Sequence, residues 1–242
     1  MGLPWKRTAI TAATGGACRP FSPLNVSGLK LWLDASAITG LNNNDSVTTW
    51  TDLSGQGNSA TQATGSRKPT YKTGILNSLP VVRFDGVDDY LANASLVLAQ
   101  PATIFVVVQQ SGGSIDYRIL YDGTVSTTVM ALTYVVSTSK WSAYGGTAFV
   151  GQSGTTGSNV PKCVSSIYNG ASTEIRIDGG TAATGNGGSQ GWTGGFTLGD
   201  GWQRSGRYAT AADIGEILAY NSALSASNRA AVENYLIAKW AV

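Results

Sequence analysis

The stretch Thr103-Ile104-Phe105-Val106-Val107-Val108 constrains the fold more than any other. Six consecutive β-branched or apolar residues suit a strand covered on both faces, not an amphipathic helix. Shorter runs repeat the signal. Leu29, Leu31 and Leu33 alternate with Lys30, Trp32 and Asp34, and Val82 and Phe84 line one face of a strand around Pro80–Asp85. Further strands are predicted at Arg118–Tyr121, Thr128–Val136, Lys140–Tyr144, Cys163–Tyr168 and Asp213–Tyr220. Asn169-Gly170 supplies a turn, after which Ile175 and Ile177 face inward and Glu174, Arg176 and Asp178 face water. Many short strands with turn residues between them imply an all-β antiparallel sandwich or barrel.

One helix is predicted. Ser225 caps Ala226–Lys239, and Val232, Leu236 and Trp240 recur at i, i+4 and i+8 to give one apolar face. The Gly/Ser-rich segment Thr181–Gly195 reads as a loop, because strand signals resume at Phe196. Residues 1–27 carry Pro4, Pro20 and Pro23 without apolar periodicity and read as an extended N-terminal arm ahead of one domain, 28–242. Leu3, Trp5, Lys6, Arg7, Arg19 and Phe21 are the expected assembly contacts of that arm, made with its own domain or with a neighbouring chain.

Composition removes several function classes. Charged residues make up 12% of the chain, against about 25% in an ordinary soluble domain. The net charge of +2 is too balanced for nucleic acid or an anionic membrane to be the main partner. The chain has no histidine, which excludes Ser-His-Asp and Cys-His nucleophile systems and imidazole bases. Its two cysteines, Cys18 and Cys163, are too few for a thiolate zinc site, and free thiols are expected over a disulfide. No run is long and apolar enough to span a membrane, and Thr8–Ala13 is a poor secretory core. Gly15-Gly16-Ala17-Cys18 has Gly15 where a lipoprotein cleavage site has a large aliphatic residue, and Lys6 breaks the myristoylation pattern.

Three stretches together carry a family resemblance. They are Leu31-Trp32-Leu33-Asp34 with Trp50-Thr51-Asp52-Leu53-Ser54-Gly55; Pro80-Val81-Val82-Arg83-Phe84-Asp85-Gly86; and Ile214-Gly215-Glu216-Ile217-Leu218-Ala219-Tyr220 with the helix ending at Trp240. In this order they resemble the laminin-G-like branch of the concanavalin A-like lectin/glucanase superfamily. The resemblance implies a two-sheet antiparallel jelly-roll sandwich. Glucanases of that superfamily carry a Glu-x-Asp-x-x-Glu strand, and none of Glu174, Glu216 and Glu233 stands in such a pattern. Glu216 is expected to pair with an arginine near the sheet rim.

No catalytic residue, metal or cofactor is expected. Asp85-Gly86-Val87-Asp88-Asp89 and Asn42–Asp45 offer hard oxygens but lack calcium-loop spacing, so they read as turns. Trp141, Tyr144, Trp192, Trp202 and Tyr208 lie in polar, Gly-rich surroundings, with Arg204 and Arg207 nearby. They form the candidate binding surface, because exposed aromatics stack on sugars and anchor interfaces. A charge-poor Ser/Thr/Gly body without a convincing export signal suits a protein assembled inside a cell and released by lysis. The expectation is therefore a non-enzymatic virion surface component, with other virion proteins or copies of itself as partners through the arm, and host-surface polysaccharide as a second. An exported glycan-binding module or adhesin is the alternative.

Overall fold

The structure, a computed structural model, describes residues 20–112, 116–153 and 159–242. Residues Leu3, Trp5, Lys6, Arg7, Cys18 and Arg19 lie outside this range. In chain order the strands begin with β1 (Leu29–Asp34), β2 (Thr49–Trp50), β3 (Ala60–Thr61), β4 (Thr70–Leu76) and β5 (Leu79–Asp85). They continue with β6 (Leu91–Asn93), β7 (Ala102–Gly112), β8 (Tyr117–Gly123), β9 (Ala131–Val135), β10 (Lys140–Tyr144) and β11 (Phe149–Ser153). The last are β12 (Pro161–Tyr168), β13 (Thr173–Ile177), β14 (Ala183–Gly185), β15 (Phe196–Leu198) and β16 (Ala211–Tyr220), followed by α1 (Ala226–Trp240).

These strands form two antiparallel sheets packed as a sandwich, with a single C-terminal α-helix. The first sheet runs β14-β13-β12-β7-β16-β5-β4, and β1 pairs with the end of β16 that β5 leaves free. The second runs β11-β10-β9-β8-β15-β6-β3-β2. The apolar run at 102–108 is the centre of the first sheet, paired with β12 on one side and β16 on the other, and every residue of it is buried. Burial on both faces is what permits an unbroken Ile-Phe-Val-Val-Val sequence there. The sheets meet through large rings: the Tyr121 hydroxyl lies 3.1 Å from that of Tyr168, which donates to the Ala131 carbonyl at 2.7 Å.

The helix follows its predicted pattern. The Asn228 amide donates to the Ser225 hydroxyl at 3.3 Å, and Val232, Leu236 and Trp240 are buried. Gly215 lets the ring of Trp240 lie on β16, since a Cβ there would come within 2.8 Å of the ring. Glu216, expected to pair with an arginine, is instead wholly buried among four donors. Trp32 Nε1 (2.7 Å) and the Tyr235 hydroxyl (3.0 Å) reach Oε1; Lys239 Nζ (2.7 Å) and Trp240 Nε1 (2.8 Å) reach Oε2. The same lysine also bonds Asp34, tying β1, β16 and α1 together.

The described end of the predicted arm packs on its own domain. Ser22 caps a short 3-10 turn at Pro23–Asn25, the Tyr220 hydroxyl donates to the Pro23 carbonyl at 3.1 Å, and the Phe21 ring lies 5.6 Å from that of Tyr235. Six strands escape the sequence pattern, among them the two- and three-residue β2, β3 and β6. β4 carries Gly74 at φ +69, β11 follows a Gly-Gly-Thr turn, and β14 falls inside the stretch read as a loop. Cys163 is a free thiol buried in β12.

Candidate functional site

A single irregularity in β8 builds the site. Ile119 pairs with Thr133 and Tyr121 with Leu132, so Leu120 and Tyr121 together oppose one residue of β9. Such a bulge reverses the alternation of facing beyond it. Before it, Tyr117 and Ile119 face away from the first sheet. At it, Leu120 and Tyr121 both enter the core. After it, Asp122 shares the outer face with Tyr117 and Ile119, and all three line one pocket.

The neighbouring strands complete that face. Ala131 and Thr133 of β9 stand beside β8, Tyr144 of β10 pairs across from Ala131, and Phe149 of β11 pairs across from Tyr144. The rings of Tyr144 and Phe149 are 4.9 Å apart, and those of Tyr117 and Phe149 stack at 5.6 Å. Trp202 and Tyr208 close the opposite side, giving a cavity of about 370 Å³.

Trp202 and Tyr208 belong to the loop 199–210, which is folded around a second buried acid. Asp200 accepts from the amides of Gly201 (2.7 Å), Gly206 (2.8 Å) and Tyr208 (3.3 Å). The Ile119 amide donates to the Tyr208 carbonyl at 3.0 Å and anchors the loop to β8. Gly199, at φ +87, begins the loop where a Cβ would meet the Phe84 ring at 2.1 Å, so only glycine fits. Asp122 lies beneath the floor, fully buried, and accepts from the Gly123 amide (2.7 Å) and the Trp202 amide (3.1 Å). Burial pushes its carboxyl up to about 7, and the charge of Asp200 adds to the rise against the pull of those two amides.

The aromatic residues expected from the sequence divide cleanly. Tyr144, Trp202 and Tyr208 meet in the pocket. Trp141 and Trp192 do not: they are 3% and 0% exposed and belong to the core. Trp141 packs edge-on against Tyr134 at 5.0 Å, and Trp192 donates from Nε1 to the Met130 carbonyl at 2.9 Å with Phe196 and Tyr121 around its ring. The glycines beside Trp192, which suggest an exposed ring, instead let other backbone close over it: a Cβ on Gly195 would strike the Asn93 carbonyl at 1.8 Å. Arg204 turns away to bond the Thr197 hydroxyl at 3.0 Å and lies over Tyr90. Arg207 is exposed, with its guanidinium 5.4 Å from the Tyr208 ring centroid. Tyr117, Phe149 and Asp122 join the pocket without having stood out in the sequence, because strand pairing and the bulge in β8 bring them there.

Other acidic groups make turns. Asp85, Asp88 and Asp89 bring carboxylate oxygens within 4.8 Å of one another. Asp85 accepts from the Val87 amide at 2.8 Å and Asp89 from the Asp85 amide at 3.0 Å, as side-chain-to-backbone turns do. Burial and the Asp85 charge push the Asp89 carboxyl up to about 6. Glu174 and Arg176 bond at 3.3 Å, and Lys162 bonds Asp178 at 2.6 Å, on the face expected to meet water. Among the described residues, no helix is long and apolar enough to cross a membrane.

No family model and no curated protein matches the sequence. Solved structures do share the fold. An arabinofuranosidase complexed with arabinofuranosyl-α-1,2-xylobiose superposes with a TM-score of 0.62 at 16% identity, over 81% of this chain and 51% of that one. Trypanosoma rangeli sialidase in complex with sialic acid superposes with a TM-score of 0.59 at 17% identity, over 88% of this chain and 35% of that one. The chain thus spans about a third of the sialidase and half of the arabinofuranosidase. At these identities the likeness establishes the two-sheet sandwich, without singling out the laminin-G-like branch.

The likeness also corrects the expected function. These neighbours are carbohydrate-processing enzymes, not virion components or adhesins. They overturn the reading as a non-enzymatic virion surface component and its alternative of an exported binding module.

Proposed function

We propose that this chain is the glycan-holding sandwich of a carbohydrate-processing protein, with a sugar ring seated between the Tyr117–Phe149–Tyr144 cluster and the Trp202–Tyr208 wall. One observation carries the reading: five aromatic side chains surround one open space of about 370 Å³ on a sheet face that is otherwise Ile119, Asp122, Val129, Ala131 and Thr133. A sugar presents apolar C–H faces rimmed by hydroxyls, which suits an aromatic cleft with few polar groups. The sialic acid and arabinofuranosyl-xylobiose in the structures of the fold neighbours support the ligand class. Kinship with the concanavalin A-like superfamily is part of the same reading.

Cleavage by paired carboxylates needs two acids roughly 5–9.5 Å apart across the bond. Among the described lining residues Asp122 is the single carboxyl, and it lies under the floor. The pocket is therefore read as holding the glycan, with no carboxylate pair among its described lining residues. Calorimetric titration with neutral oligosaccharides tests this. Binding should weaken about tenfold or more in Trp202→Ala and in Tyr144→Ala. Absence of binding by every oligosaccharide, or unchanged affinity in both variants, would overturn it.

A further inference from the structure

We propose that the pocket selects uncharged sugars and rejects those carrying a carboxylate, and that the Asp122 side chain beneath its floor is the determinant. The inference rests on the sugar-holding reading above and names the substrate class of that site. It starts from a charge inventory. Among the described residues the lining contains no lysine or arginine, and its one ionisable acid is Asp122. Arg207 has its guanidinium 5.4 Å from the Tyr208 ring centroid and does not line the cavity. Arg118 is adjacent in sequence but lies on the opposite side of β8, buried toward Gln110 of the first sheet.

An anionic sugar here would lose water without gaining a cation. It would also stand over a carboxylate held in a poorly solvated place, where like charges repel far more than in bulk water. Asp200, the second acid, adds to the same field from behind the loop. A neutral sugar meets neither cost. Of the two sugar types seen in the fold neighbours, the pocket therefore suits the uncharged arabinofuranosyl type and disfavours sialic acid.

Asp122 acts through space, because it is fully buried, and so is a positioning and specificity residue, not a catalytic one. Its displaced ionisation gives an independent handle. The ionisable groups facing it are Asp200 from the loop and Tyr168 from the first sheet, whose hydroxyl ionises well above neutrality because of burial. Between pH 5.5 and 8.5 Asp122 gains its charge, while a sugar carboxylate stays ionised throughout.

The test uses matched pairs: galactobiose against digalacturonic acid, and lactose against 3′-sialyllactose, titrated calorimetrically into the whole chain. At pH 8.5 the neutral member should bind at least tenfold more tightly. That ratio should shrink several-fold at pH 5.5, and in Asp122→Asn it should stay at that lower value at both pH values. Where Asp122→Asn fails to fold, the pH series on the unaltered chain decides between the outcomes. Equal or tighter binding of the anionic members, lost in Trp202→Ala, would leave the pocket reading standing and overturn the selectivity. A preference for neutral sugars that neither pH nor Asp122→Asn changes would overturn the assignment to Asp122. Failure of every member to bind would overturn the pocket reading itself.

Discussion

The Trp240 indole nitrogen donates to Glu216 Oε2 at 2.8 Å, joining the last turn of the helix to the strand it covers. Three further donors converge on that carboxylate, so it is the acceptor for a whole buried junction. Removing it would strand two indole N–H groups and a phenol, and leave the Lys239 ammonium with Asp34 as its remaining carboxylate.

Glu216→Ala should therefore destabilise the domain by about 3–5 kcal/mol, the cost of breaking a buried, hydrogen-bonded charge pair from one side. Urea denaturation followed by tryptophan fluorescence measures it. A loss below about 1 kcal/mol would mean that water replaces the carboxylate and the junction is not the tie described here.

Stability should fall as pH rises from about 5 to 8.5. The sequence has no histidine, so displaced carboxyls dominate side-chain titration in that range. Asp122 is raised to about 7 and Asp89 to about 6, both above the ordinary value near 4. Between the unfolded and folded values the native state holds a proton that the unfolded chain has released, so each rise in pH favours unfolding. Asp122 alone contributes on the order of 1–3 kcal/mol across this interval. Thermal melts at a series of pH values should show the decline, and Asp122→Asn should flatten it.

The tryptophans should separate into two classes. Trp192→Ala should cost about 3–5 kcal/mol, because the ring is wholly buried and its N–H is bonded. Trp202→Ala should cost about 1 kcal/mol or less, since its ring faces the pocket, yet remove sugar binding. Denaturation and titration of the two variants side by side check the division. A Trp202→Ala variant as unstable as Trp192→Ala would show Trp202 to be a packing residue.

Gly199→Ala should damage both stability and binding. The substitution places a Cβ against the Phe84 ring at a left-handed backbone position, a combined cost of about 2–4 kcal/mol. Because Gly199 begins the loop that carries Trp202 and Tyr208, affinity for sugar should drop in whatever fraction stays folded. Urea denaturation and calorimetric titration of the variant measure the two effects.

The architecture was legible wherever a strand or helix spends its whole length against the core. The run at 103–108 and the face Val232–Leu236–Trp240 are read directly from apolar patterning, and the Asp213–Tyr220 strand is buried along its whole length. The site was half legible. Tyr144, Trp202 and Tyr208 stood out as aromatic residues in polar surroundings. Trp141 and Trp192 carried the same local signature but are core, because glycine-rich backbone is thin enough for distant segments to close over a ring. Tyr117, Phe149 and Asp122 depend on strand pairing and on the bulge in β8, which are properties of two segments at once. Glu216 took a lysine from the helix instead of an arginine from the rim, a choice set by where α1 crosses β16.

The doubled residue at Leu120–Tyr121 has a consequence for how such a scaffold can change. Losing one amino acid there would remove the bulge and leave a regular strand with the acid still outward, because Ile119 opposite Thr133 and Tyr121 opposite Leu132 already alternate across it. A single-codon loss in that short segment thus costs one core side chain and keeps both the ligand-facing surface and the remaining framework.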